Sequence, residues 1–234
     1  MSTVTSVGGE DPGARRTTAG GRGEVAGVVG IVLAGGRGRR LGGSKALALL
    51  AGRPLVEHVA MALAAVVDEV VIAAKADTAL PDLGDRASVW IEPDEPRHPL
   101  IAITHGLRRA GGRPVLVCAV DLPLVSPELL GTLAAPAAAP RLAVIAAADG
   151  RWQPLLGRYE PEAALTLEAA GTRGRALDAV AALDPVVVSA RDASDLLNVN
   201  DPADLLEAES VLRRRQRSSA RPPKCGPLRI CRTV

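Results

Sequence analysis

Lys45, Asp121 and the glycines and arginines between Leu33 and Ser44 are the residues whose types and spacing suggest chemistry in this chain of 234 residues. The stretch from Val28 to Lys45 reads VVGIVLAGGRGRRLGGSK. Its first half is β-branched and apolar, the pattern of a buried strand. Its second half holds five glycines within ten residues, with Arg37, Arg39 and Arg40 among them and Lys45 at the end. Glycine lets the backbone approach an anion closely, and successive N–H groups then point into one concavity. A strand that empties into such a loop reads either as a phosphate cradle or as a glycine-rich surface loop. Two familiar cradles are excluded by spacing. The dinucleotide fingerprint needs a third glycine where Leu41 stands, and the Walker A loop needs Gly-Lys-Ser/Thr where the order is Gly43-Ser44-Lys45-Ala46.

A triphosphate in this loop needs more counter-charge than Lys45 and the arginines provide. A hard divalent cation, held by carboxylate oxygen, is the usual supplement. Asp121 is the obvious ligand, because it directly follows the uninterrupted apolar run PVLVCAV. The alternative for Asp121 is an Asx-type turn before Leu122-Pro123. Glu92, Asp94 and Glu95 cluster in a second loop. One of them accepts from a nucleobase edge, a ribose hydroxyl or a metal-bound water, or the three form a solvated acidic loop. His58 and His105 fall inside helical patterns and read as packing or surface residues.

Composition narrows the classes. Hydrophobic residues are 47% but aromatics only 1%, with no Phe, so the core is built from Ala, Val, Leu and Ile. The formal charge of +2 conceals an asymmetry: eight of the 28 basic residues lie from Arg213 onward with no acid, which leaves 20 basic against 26 acidic residues before it. An acidic body argues against nucleic acid as the main ligand. Cys118, Cys225 and Cys231 have no metal-binding spacing, and no stretch approaches the roughly 20 apolar residues of a membrane span. The first 25 residues lack the apolar segment of a secretory signal, and a cytoplasmic location is expected.

Hydrophobic periodicity predicts the elements that position these residues. Strands are expected at 28–33, 69–74, 88–91, 114–120, 141–147, 151–159 and 185–189. Helices are expected at 54–67, 100–110, from Ser126-Pro127-Glu128, at 161–170, at 174–183, and from Asp201-Pro202 to about Arg214. Asp149-Gly150 is a hairpin turn that adds one antiparallel strand. The alternation implies a three-layer α/β domain with a mainly parallel sheet over residues 27–212. Residues 1–26 and the basic tail 213–234 are expected to be disordered. In such sheets ligands bind beyond the carboxyl ends of the strands, where the Gly-rich loop, Asp121, Asn198 and Asn200 would meet.

Six segments then resemble the molybdenum cofactor guanylyltransferases over residues 28–212: LAGGRGRRLGGSK at Leu33–Lys45, GRPLVEHV at Gly52–Val59, EPDEPRHPLIAI at Glu92–Ile103, AVDLPLVSPELL around Asp121, QPLLGRY at Gln153–Tyr159 and NVNDPADL at Asn198–Leu205. The resemblance implies a Rossmann-like fold of the nucleotide-diphospho-sugar-transferase type. It implies transfer of GMP from Mg²⁺·GTP to molybdopterin, with release of pyrophosphate. Leu33, Ala34, Gly35, Gly36, Lys45, Ala73, Asp94 and Asp121 would bind the nucleotide, and Asp121 the Mg²⁺. Lys45, Asp121 and Arg39 would serve catalysis, and Asn198 and Asn200 would close the far side. Arg173 and Arg175 are candidates for the acceptor phosphate or are surface charges. GTP and molybdopterin would be the small-molecule substrates, with molybdoenzymes or cofactor-biosynthesis proteins as contacts, and with neither nucleic acid nor membrane. Such a transfer needs little acid–base work, because the acceptor phosphate is already a nucleophile; it needs positioning and charge neutralisation. Ser44 stands where the family usually has an acid, His98 where it has Gly, and Ala73 where it often has Asn. A cytidylyl- or other nucleotidyltransferase with a different phosphorylated acceptor, and a nucleotide-binding domain without turnover, remain the alternatives.

Overall fold

The computed structural model describes residues 27–219 except 37, 42, 138 and 139. The extensions expected at 1–26 and 220–234 lie outside the described residues. Nine strands and six α-helices form the described part: β1 (Val29–Leu33), β2 (Leu49–Leu50), β3 (Arg53–Pro54), α1 (Leu55–Ala64), β4 (Glu69–Ala74), β5 (Ser88–Ile91), α2 (Pro99–Arg109), β6 (Val115–Ala119), α3 (Pro127–Ala134), β7 (Ala143–Ala148), β8 (Arg151–Tyr159), α4 (Ala163–Ala170), α5 (Ala176–Ala181), β9 (Val186–Ser189) and α6 (Pro202–Ser219). Seven of the strands make one sheet in the order β5-β4-β1-β6-β8-β7-β9, and β2 and β3 pair separately. Within that sheet β8 runs antiparallel to both β6 and β7, and the other pairings are parallel. The three-layer, mainly parallel α/β domain expected from periodicity is therefore present.

Alternation along β1 shows how the layers form. Val28 and Val32 join a core with α1, α3 and α6 residues such as Leu63, Leu130 and Val211. Val29, Ile31 and Leu33 point the other way, into a core with α2, α4 and α5 residues such as Ile103, Leu167 and Val180. Gly106 lets α2 lie close on the sheet, since a Cβ there would stand 2.5 Å from Ile31 Cδ1. An alanine at Gly106 would overpack this contact at a cost of about 1–3 kcal/mol. Ser126 caps α3 by accepting from the Leu129 N–H, with Pro127 in the first turn, as its sequence pattern requires. Asp149 and Gly150 both have positive φ, 50° and 71°, the backbone of a type I′ hairpin turn.

Two expectations are corrected. Pro54 lies in the short strand β3 and precedes α1 instead of opening it. The last helix passes the expected end near Arg214 and continues to Ser219, so residues 213–219, assigned from composition to a disordered tail, are helical.

Candidate active site

Sheet register brings the two chemical segments together. β1 lies between β4 and β6, with Leu33 opposite Ala73 on one side and Ala119 on the other. The pairing continues past the strand ends, where Ala34 N donates to Ala73 O (2.8 Å) and Val120 N to Leu33 O (3.1 Å). The Gly-rich loop and Asp121 thus leave the same sheet edge from neighbouring strands. A cleft of about 360 Å³ opens there, lined by Leu33, Gly35, Gly36, Lys45, Lys75, Glu92, Arg97, His98, Asp121 and neighbouring apolar residues. This is the carboxyl edge, where ligands of parallel sheets bind.

The loop folds back on itself through Gly38. Its φ is +54°, and a Cβ there would stand 2.5 Å from both Gly43 O and Lys45 N, so glycine is required by handedness and by space. Leu41 N donates to Gly38 O (2.9 Å), and Ser44 Oγ ties the loop's end to Ala79 O (2.8 Å). Ser44, standing where an acid is usual in the resembling family, is thus an anchor to the segment after β4. The short turn Lys45–Leu47 follows and aims Lys45 into the cleft. Lys45 Nζ donates to Asp121 Oδ2 at 3.0 Å and to Asn200 Oδ1 at 2.7 Å. Asn200 arrives because Val199 N donates to Asp121 O (2.8 Å), which lays the loop after β9 alongside Asp121.

At the other end of the cleft lies an ion pair sealed from water. Lys75 Nζ stands 3.4 Å from Glu92 Oε2, and each side chain is only 3% exposed. Lys75 also donates to the carbonyl of Pro93. Burial pushes the Glu92 carboxyl above its ordinary range against the pull of Lys75. The backbone at Gly35 passes close to this pair, so that a Cβ there would meet Glu92 Oε1 and displace it. On the rim, Arg97 pairs with Asp77 (2.8 Å). His98 caps α2, Nδ1 accepting from Leu100 N (3.3 Å), while Nε2 donates to Gly174 O at 3.1 Å. That tautomer satisfies both bonds.

The sequence-derived site residues therefore divide. Leu33, Gly35, Gly36, Lys45 and Asp121 line the cleft, and Asn200 meets Lys45. Ala34 and Ala73 are buried behind it and bonded to each other through the backbone. Asn198 is exposed and its amide turns back to Leu196 O (3.2 Å). Asp94 is exposed on its loop, and Glu92 stands in the cleft wall in its place. Arg173 and Arg175 are exposed on either side of Gly174, which His98 holds at the cleft mouth. Arg37 and the side chain of Arg39 lie outside the described residues. Lys75 was missed, although its signal matches that of Asp121: a polar residue placed directly after the apolar strand EVVIAA.

The oxygens of Asp121 and Asn200 that share Lys45 are hard donors suited to Mg²⁺. Among the described residues no cluster of three or more His, Cys, Asp or Glu forms a cage. An ion here would take its remaining ligands from phosphate and water, which is the habit of Mg²⁺. No helix among the described residues is long and apolar enough to cross a membrane.

A glycine-rich loop and a carboxylate thus leave neighbouring strands at the carboxyl edge of a mainly parallel sheet, the arrangement expected of a nucleotidyltransferase. Residues 30–186 match the family described as MobA-like NTP transferase domain. The chain belongs to that family and is a nucleotidyltransferase enzyme. It is 37% identical over 206 residues to a molybdenum cofactor guanylyltransferase of Cereibacter sphaeroides, covering 80% of this chain and 98% of that one. It is 34% identical over 209 residues to one of Rhizobium leguminosarum bv. trifolii, covering 82% and 95%. Among solved structures, molybdopterin-guanine dinucleotide biosynthesis protein A from Archaeoglobus fulgidus superposes with TM-score 0.65 at 27% identity, over 80% of this chain and 99% of that one. The 2-C-methyl-D-erythritol 4-phosphate cytidylyltransferase of Thermus thermophilus shares the fold at 23% identity, with TM-score 0.59 over 78% and 98% of the two chains.

Proposed function

We propose that this enzyme transfers GMP from GTP to the terminal phosphate of molybdopterin. A phosphate oxygen of the acceptor bonds to the α-phosphorus, the α–β phosphoanhydride bond breaks, and pyrophosphate leaves with its electron pair. The observation that carries the reading is the Lys45 ammonium held between Asp121 and Asn200 at the mouth of the glycine loop. It is supported by relatives whose names state guanylyl transfer to the molybdenum cofactor.

The loop amides and Lys45 bind the phosphates, and Lys45 offsets charge that builds on the α-phosphate and the departing pyrophosphate. Asp121, with Asn200 beside it, would hold Mg²⁺, which when bound neutralises phosphate charge and orients the leaving group. The Glu92–Lys75 end of the cleft, where Ala102 and Leu155 also line the wall, is left for the nucleoside. Arg173 and Arg175, exposed on either side of the Gly174 that His98 tethers, receive the acceptor phosphate. No side chain acts as general base, because the attacking phosphate is already ionised at neutral pH.

Pyrophosphate release is to be measured with molybdopterin and Mg²⁺ and with GTP, CTP or ATP in turn. Release with GTP in preference to the others is expected. Preference for CTP or ATP overturns the guanylyl assignment. Nucleotide binding without release in any combination overturns turnover itself.

A further inference from the structure

The segments that carry Asp121 and Asn200 belong to no sheet ladder. Residues 121–126 are turns between β6 and α3, and residues 190–201 contain only a short 3-10 turn, Ala193–Leu196. Something must fix them relative to each other, since a misplacement of about 1 Å in a reacting constellation costs on the order of a hundredfold in rate.

The link is Arg215 on α6. Its Nη1 donates to Leu124 O at 2.6 Å, three residues beyond Asp121. The two N–H groups of its Nη2 are shared among Asp195 Oδ1 (2.6 Å), Ser194 Oγ (2.8 Å) and Asp192 Oδ2 (2.9 Å), all in the segment that leads to Asn200. Asp195 is buried, and its second oxygen accepts from Ser126 Oγ at 2.6 Å, the residue that caps α3. One guanidinium therefore joins both loops from behind. On the cleft side the same loops are joined by Val199 N to Asp121 O and through Lys45. The planar fork of arginine reaches both partners at once; the point charge of a lysine cannot.

We propose that Arg215 is a positioning residue for nucleotidyl transfer, a latch that sets the spacing of Asp121 and Asn200 from outside the cleft. The inference rests on the reading above that Asp121 serves the transfer step. Arg215 touches no substrate, so its loss lowers turnover more than nucleotide affinity.

The test uses the full chain with Arg215→Lys, and with Arg214→Gln as the control, because among the described residues the Arg214 side chain bonds its helix neighbour Ser210 and neither loop. For Arg215→Lys, kcat is expected to fall about 10–100-fold while KM for the nucleotide moves less than about threefold. Amide exchange at Val199, the hydrogen bond to Asp121, should accelerate about tenfold, with the amides of β1 and β6 unchanged. Arg214→Gln should change neither. Asp195→Asn, which keeps an acceptor for Ser126 but removes the charge facing Arg215, should show the same pattern more weakly. Wild-type kcat with unchanged Val199 exchange in Arg215→Lys overturns the latch. So does acceleration spread equally over β1 and β6, which marks general loosening. If the wild-type enzyme fails to move GMP to molybdopterin, the substrate reading falls, and Val199 exchange still decides the latch.

Discussion

Lys45 Nζ and Asp121 Oδ2, 76 residues apart in sequence, lie 3.0 Å apart at the carboxyl edge of the sheet. Their side chains are 11% and 24% exposed, so water in the cleft reaches the pair. Breaking it leaves a charge that water can still solvate, at a cost nearer the about 1 kcal/mol of an exposed pair than the 3–5 kcal/mol of a sealed one. The effect on transfer is larger. Lys45→Ala and Asp121→Ala are each expected to lower kcat by about 10²–10³, the scale for loss of a group aimed at developing charge. The double variant should be little worse than either, because the two act on one phosphate. Steady-state pyrophosphate release, with urea denaturation as the stability control, checks both statements.

The Lys75–Glu92 pair behaves differently because it is sealed. Lys75→Met leaves the Glu92 carboxylate without its counter-charge where only 3% of the side chain meets solvent. A loss of about 3–5 kcal/mol at neutral pH is expected from urea denaturation. The pH dependence has a definite sign. Burial already raises the Glu92 carboxyl above its ordinary value, and removing Lys75 raises it further. A carboxyl that is a weaker acid in the folded state destabilises the fold while ionised and ceases to as pH falls through its folded pKa. Lys75→Met should therefore recover part of its lost stability on acidification. The double variant Lys75→Met/Glu92→Gln should recover most of it at neutral pH.

Much of this architecture is legible in the chain because local and global signals agree. VVGIVL, EVVIAA and PVLVCAV are too apolar to be anything but covered strands, and Ser126-Pro127 and Asp149-Gly150 form the cap and turn that their chemistry favours. What is hidden depends on small offsets within loops. Asn198 and Asn200 are two residues apart, and only the hydrogen bond from Val199 to Asp121 decides that Asn200 meets Lys45. Glu92 and Asp94 differ likewise: Glu92 N still bonds to Ala74 O at the end of the sheet, while Asp94 lies beyond it. The run of α6 to Ser219 is masked by charge. Ala208 and Val211 mark its buried face, and the next residue on that face is Arg215, whose partners are polar and distant in sequence. A pattern of apolar residues cannot register a helix turn held by a guanidinium.

That anchor has its own acid dependence. Hydrogen bonds from the Ser194 hydroxyl and N–H, and then from Arg215, hold the Asp192 carboxyl at about 2, below its ordinary 3.8. A carboxyl with a depressed folded pKa stabilises the fold fully above its unfolded value and loses that contribution as pH falls toward the folded one. The window lies between about pH 4 and pH 2. Asp192 is more than half exposed, so solvent screens the effect and it stays small. Asp192→Asn should flatten the acid limb of the urea midpoint in that window by lowering the midpoint slightly at pH 7 and leaving it nearly unchanged at pH 2. An unaltered limb would mean that these hydrogen bonds do not survive in solution.

His98 offers a way to separate the two substrates. Its Nδ1 caps α2 and its Nε2 holds Gly174 O, so one ring sets both the start of the helix and the place of the Arg173–Arg175 loop. A glycine, as is usual in the resembling segment, is tolerated at the start of the helix without that cap bond but cannot hold Gly174. In His98→Gly the α2 cap costs only a few tenths of a kcal/mol, since glycine is an acceptable N-cap residue. The loop with its two arginines loses its tether. If those arginines receive the acceptor phosphate, KM for molybdopterin should rise several-fold while KM for the nucleotide stays near the wild-type value. The nucleotide end is protected because Glu92 and Lys75 hold each other independently of His98. Equal loss for both substrates would place His98 on the nucleotide side of the cleft and remove the loop from the acceptor site.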